Sequence, residues 1–225
     1  PTLHVEDCTV DAAYNVVYDS HNTQNFKSVY FGNSIVKMTV ANKPFYSTKA
    51  KDAHTQQLIR LDNNVFYAEM PLQNYLINCG DRSQAFQTTR LQVEVTNNTI
   101  YNIYQPNIMI RAYVLAGLTV TKNVGYYTGV TAKNYLTGVY DTAGFTADKA
   151  EVTYNYLYTA PVSDTNFWSA KHTGSYTPAN NQMGDGVEAP FSSMDAAKGY
   201  FPVDASVVKT GAGATYDTKA WFKAE

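Results

Sequence analysis

The chain has 225 residues and a formal net charge of −2, from 17 Lys and Arg against 19 Asp and Glu. Arginine occurs only at Arg60, Arg82, Arg90 and Arg111, so the clustered basic patch that phosphate neutralisation needs is missing and there is no strong nucleic-acid signal. No apolar run is long enough to span a membrane as a helix. Charged residues make up 16%, below the roughly 25% of ordinary soluble domains, while 14% are aromatic with 19 tyrosines, a composition that suits strands and contact surfaces.

Residues 1–27 carry short apolar alternation at Ala13, Tyr14, Val16, Val17 and Tyr18, followed by a polar loop. The chain starts at Pro1 without a methionine, which suggests processing or a fragment. Ser28–Phe31 and Ile35–Ala41 flank a Gly32-Asn33 turn signal, and Gln57–Leu61 and Val65–Met70 flank Asp62-Asn63-Asn64, so each pair reads as a hairpin. Leu91, Val93 and Val95 then alternate with Gln92, Glu94 and Thr96 before the Asn97-Asn98 turn, the period-2 pattern of a half-buried strand. The run from Asn107 to Thr121 is apolar on both faces and reads as one central strand. In Ala150–Thr159, Val152, Tyr154, Tyr156 and Tyr158 fall on one face, predicting an aromatic ladder.

From Pro161 onward the sequence turns to Gly, Ser, Asn, Asp and Pro with scattered aromatic anchors such as Trp168, Trp221 and Phe222. Ser193–Lys198 with Gly199 reads as a short helical turn. The expected organisation is a β core over 1–160 and a loop-rich C-terminal segment over 161–225, part of the same domain or an assembly arm.

Chemistry-bearing motifs are few. His4, His21, His54 and His172 are isolated, and no zinc, P-loop, dinucleotide or nucleophile-elbow pattern is present, so the expectation is no enzyme, no cofactor and no metal. The acid pairs Asp148/Glu151 and Asp185/Glu188 read as solvated surface carboxylates. Residues 180–188 gather oxygen ligands around glycines but place Met183 where calcium needs a ligand, so a turn is the better reading. Cys8 and Cys79 are either one disulfide closing a long loop or two thiols, and the sequence leaves both open. Tyr154, Tyr156, Tyr158, Trp168, Trp221 and Phe222 are candidate interface aromatics, and the two tryptophans are candidate sugar platforms.

Regularly spaced short strands predict an all-β sandwich or barrel, of which an antiparallel β-sandwich is the expectation taken. The segment Leu91–Asn97 followed by Asn107–Val114 resembles the strand, Asn turn, Tyr-bearing strand rhythm of single jelly-roll coat proteins of small viruses. That resemblance implies a jelly-roll fold, a virion or extracellular location, and a non-enzymatic subunit that assembles with copies of itself into a capsid. Two other readings stand beside it: a filament subunit joined by strand exchange, and a surface module that binds glycans.

Overall fold

The computed structural model describes residues 2–12, 15–19, 26–39, 45–48, 57–73, 75–80, 91–104, 110–112, 115–127, 138–139, 150–158, 179–184, 186–217 and 219. Among these the strands form three sheets, and every pairing between strands is parallel. Sheet A has six strands: β1 (Thr2–Glu6), β4 (Ser28–Gly32), β7 (Leu58–Asp62), β10 (Leu91–Thr96), β13 (Leu115–Thr121) and β16 (Ala150–Thr153). Sheet B has seven: β2 (Thr9–Ala12), β5 (Ile35–Met38), β8 (Val65–Gln73), β11 (Thr99–Tyr104), β14 (Val124–Tyr126), β17 (Tyr156–Leu157) and β18 (Gln182–Met183). Sheet C has five: β3 (Val17–Asp19), β6 (Phe45–Thr48), β9 (Ile77–Gly80), β12 (Ile110–Ala112) and β15 (Gly138–Val139). From β1 to β14 each strand pairs with the strand three further along the chain, and β17 pairs with β18, so the backbone winds as a coil and stacks each turn on the last. The fold is a parallel β-solenoid.

This overturns the antiparallel jelly-roll sandwich. The asparagine turns read as hairpins do not reverse the chain; they carry it around a corner from sheet A into sheet B. At each corner one residue takes a left-handed backbone: Asp7, Asn33, Asn63, Asn97, Lys122, Tyr154 and Asn180 all have φ between 47° and 57°. Asparagine and aspartate tolerate that region best, whereas at Tyr154 it is a strained conformation. The next residue turns its side chain inward and bonds to the coil above. Ser34 N donates to Asn64 Oδ1 (2.9 Å), and Asn64 N, Asn98 N, Asn123 N and Asn155 N donate to the side chains of Asn98, Asn123, Asn155 and Asn181 (2.9–3.0 Å). Each asparagine Nδ2 also donates to a carbonyl of the coil below, as Asn98 does to Leu61 at 3.0 Å. This interior ladder satisfies polar groups that would otherwise cost about 1–3 kcal/mol each when buried.

The period-2 pattern of β10 holds: Leu91, Val93 and Val95 are fully buried and face the solenoid interior. They pack with Val29, Phe31, Ile59, Leu61, Leu118, Val120 and Val152 of the same sheet and with Phe45, Phe66 and Ile100 of the others. The Asn107–Thr121 run is not one strand, since β12 lies in sheet C and β13 in sheet A. The aromatic ladder at 150–159 is likewise split by the Tyr154 corner, with Val152 inside, Tyr154 exposed and Tyr156 buried on the outer side of sheet B.

Among the described residues there is no helix. The predicted turn at 193–199 is a hairpin-like turn closed by the Asp195–Tyr200 bridge, with Asp195 Oδ1 accepting from Ala197 N and Lys198 N and with Gly199 at φ +67°. Phe191, Phe201, Val208, Ala212 and Ala214 bury themselves on the outer side of sheet B against Ile35, Val65, Tyr67, Tyr101, Val124, Tyr126 and Tyr156. The segment from about 186 to 219 is thus a strap laid over one face of the same chain's solenoid.

Candidate functional surface

With sheet B covered by the strap, sheet A is the long sheet whose outer face remains polar. Alternate residues of its strands form two rows across the coils. One row is His4, Tyr30, Arg60, Glu94, Thr119 and Glu151; the other is Glu6, Gly32, Asp62, Thr96, Thr121 and Thr153. At the usual strand spacing the outermost strands stand about 24 Å apart, so the face is an elongated platform.

Neighbouring coils hold these side chains in place. His4 Nε2 lies 3.2 Å from Glu6 Oε2, the His4 and Tyr30 rings lie 4.4 Å apart, and Tyr30 Oη donates to Glu6 Oε1 at 3.4 Å. Partial burial, then the Glu6 carboxylate, raise the Tyr30 phenol above its ordinary value, so it remains a donor at neutral pH. A Cβ at Gly32 would collide with the Tyr30 hydroxyl, so the glycine lets that ring lie flat along the sheet. Arg60 Nε donates to Glu94 Oε2 and Gln92 Nε2 to Glu94 Oε1, both at 2.5 Å. Asp62 Oδ1 accepts from Thr96 Oγ1 (2.5 Å) and Asn97 Nδ2 (3.0 Å), and Glu151 Oε1 accepts from Thr153 Oγ1 (3.0 Å).

A second polar cluster sits where the strap ends on the corner column. Going down the strap, Lys209 N donates to Gln182 Oε1, Gly213 N to Lys122 O, Ala214 N to Thr99 Oγ1 and Thr215 N to Asn63 Oδ1, at 2.7–3.1 Å. Lys219 closes the series, fully buried, with Nζ donating to Thr215 O (2.7 Å), Asn63 O (3.0 Å) and Asn33 Oδ1 (3.3 Å). Burial pulls its amine down to about 8, against the opposing pull of Asp217, Asp7 and Asp62.

Of the residues singled out from sequence, Cys8 and Cys79 are free thiols. Cys8 Sγ donates to Glu6 O (3.1 Å), whereas Cys79 is wholly buried in β9, and burial pushes its thiol far up. Tyr156 lies beneath the strap and Tyr158 packs against Tyr126 at 4.4 Å between centroids, so both serve this chain's own packing. Tyr154 is 42% exposed at its corner. Trp168, Trp221, Phe222, His21, His54, His172, Asp148 and Asp185 lie outside the described residues. Asn181 and Gln182 of the 180–188 loop are the last ladder residue and a strap anchor.

The residues missed were Tyr30, Arg60, Asp62, Glu94, Asn33 and Lys219. Their signal is an aligned repeat: Phe31-Gly-Asn-Ser34, Leu61-Asp-Asn-Asn64, Val95-Thr-Asn-Asn98, Val120-Thr-Lys-Asn123 and Val152-Thr-Tyr-Asn155. It recurs every 25 to 34 residues and places the outward rows two and four positions before each ladder residue.

Among the described residues, no group of His, Cys, Asp and Glu is arranged to hold a metal ion, and no helix is long and apolar enough to cross a membrane. Among the described residues, fold and surface together define the class as a parallel β-solenoid with one strapped face and one open polar face. No family model, no curated protein and no solved structure matches the chain.

Proposed function

We propose that this chain is a non-enzymatic carbohydrate-binding module of a secreted or surface protein, taking an extended, neutral, hydroxyl-rich polymer along the outer face of sheet A. The observation that carries this reading is the contrast between the two long sheets: among the described residues, the chain covers its aromatic face with its own strap and leaves the polar one open. The open rows offer carboxylate and hydroxyl acceptors, a guanidinium and a tyrosine ring, the groups that hydrogen-bond and stack on sugars. Four carboxylates (Glu6, Asp62, Glu94 and Glu151) against Arg60 disfavour a polyanion. Each of the four already accepts a hydrogen bond from a neighbour, which suits pre-set recognition better than proton transfer.

Affinity electrophoresis through gels containing neutral polysaccharides tests this. Wild type is retarded by at least one polymer, and Tyr30→Ala or Glu94→Gln weakens that retardation about tenfold, as for loss of a charged or aromatic contact. Retardation that both variants retain in full places binding elsewhere and overturns the reading.

A second reading, a structural subunit that stacks with copies of itself into a filament, has one observation in its favour. In this structure β1, β2 and β3 are each the outermost strand of a sheet, and edge strands template further pairing. The virus-coat reading came from a resemblance that implied a jelly roll, and the jelly roll is not the fold seen here.

A further inference from the structure

We infer that Lys219 and Asn33 are joined, in the mature protein, by an amide bond between their side chains, pinning the end of the strap to the second coil. The contact is built for that chemistry. Lys219 is fully buried, and its Nζ donates a hydrogen bond to Asn33 Oδ1 at 3.3 Å, which holds the amine against the amide group whose carbon it would attack. Asn33 Oδ1 also accepts a hydrogen bond from Asn63 Nδ2 at 3.0 Å, which polarises the carbonyl and stabilises the negative charge that develops there during attack. On the other side, Asn33 Nδ2 donates to Asp7 Oδ1, so a carboxyl group touches the nitrogen that must leave. Nucleophile, polarised carbonyl and proton-transfer group therefore converge on one side chain.

The reaction balances without an oxidant or reductant. The unprotonated Nζ attacks Cγ of Asn33, the Nζ–Cγ bond forms, and the Cγ–Nδ2 bond breaks. The proton shed by Nζ passes to Nδ2, with Asp7 as the group placed to relay it, and Nδ2 departs as ammonia. Burial supplies the nucleophile: with the amine lowered to about 8, about a tenth of it is unprotonated at pH 7, far more than for an exposed lysine. The charged or titratable groups facing Lys219 are Asp7, Asp62, Asp217 and the Tyr216 ring, 5.6 Å from Nζ. A bond between positions 33 and 219 would tie nearly the whole solenoid into one covalent ring.

Intact mass of the purified chain decides the matter. The bonded protein is lighter than its sequence by one ammonia, about 17 Da, as expected for a single amide condensation. A tryptic digest then yields one branched peptide joining Ser28–Lys37 to Thr210–Lys223, uncut at Lys219. Lys219→Arg restores the full sequence mass, and Asp7→Asn lowers the bonded fraction in freshly folded protein by at least tenfold. Folded wild type at full sequence mass overturns the inference, as does a mass deficit that persists in Lys219→Arg. Because the primary readout is on wild type, a variant that misfolds does not shield the proposal.

Discussion

Asn98 sits at the middle of the interior ladder, and Asn98→Ala is the perturbation that weighs the ladder most directly. Its Oδ1 accepts from Asn64 N (2.9 Å) and Asn64 Nδ2 (3.0 Å), and its Nδ2 donates to Leu61 O and Asn123 Oδ1 (both 3.0 Å). After truncation Asn64 Nδ2 keeps Phe31 O and Asn123 Oδ1 keeps Asn98 N. The Asn64 backbone N–H is left without its acceptor in a fully buried site, and Leu61 O loses a donor. At about 1–3 kcal/mol per orphaned buried group, with the carbonyl the cheaper of the two, the loss comes to about 2–4 kcal/mol. Asn181→Ala, at the half-buried end of the ladder where water can substitute, costs about 1 kcal/mol. Urea denaturation followed by circular dichroism measures both, with an unchanged slope expected. A central variant losing under about 1 kcal/mol, or no more than the end variant, refutes the ladder as a stabilising element.

Three other expectations concern the strap and the open face. Phe201 is fully buried between Tyr67 and Tyr101, with centroids 5.7 and 4.3 Å away, so Phe201→Ala costs about 3–5 kcal/mol and exposes the strap to limited proteolysis before the solenoid is cut; equal protease resistance would contradict this. Gly199 has φ +67°, and a Cβ there would meet Tyr67 Cε1 at 2.6 Å and Ile35 Cγ2 at 2.8 Å, so Gly199→Ala lowers stability by about 1–3 kcal/mol in thermal melts, and a neutral result would contradict the packing. Burial raises the phenols of Tyr67, Tyr101 and Tyr126, the last to about 12, so the unfolded chain releases these protons first as pH climbs past 10. Their contribution is complete below pH 10 and declines above it, that of Tyr126 being lost as pH rises through about 12; a melting temperature flat from pH 9 to 12 would refute it.

The sequence carries the strands of this fold plainly and its topology poorly. Alternation at Leu91, Val93 and Val95 marks which residues enter the core, because a strand with one buried face shows the same period whether its neighbours run parallel or antiparallel. Asn33, Asn63 and Asn97 announce left-handed corners, but a left-handed asparagine serves a hairpin and a solenoid corner equally. What separates the two is the residue after it. Ser34, Asn64, Asn98, Asn123 and Asn155 are polar yet buried, which only a partner one coil away makes tolerable, and that partner lies 25 to 34 residues off. Lys122 and Tyr154 stand where asparagine stands elsewhere and blur the repeat. The open face was half legible: Gln92 and Glu94 read as outward, but their neighbours Arg60, Tyr30 and His4 are assembled by coil stacking. Strap residues such as Lys219 leave no periodic trace, since they follow the shape of a surface and not the pitch of a strand.

The open face of sheet A is where the account commits itself, and one measurement bears on it directly: hydrogen exchange of the intact protein, read by mass spectrometry, with and without the neutral polysaccharide that retards it most in gels. Slowed exchange confined to the sheet A strands around Tyr30, Arg60 and Glu94, and absent in Glu94→Gln, is the predicted result. Exchange unchanged there, with protection on the strap or on sheet C, would contradict the assignment.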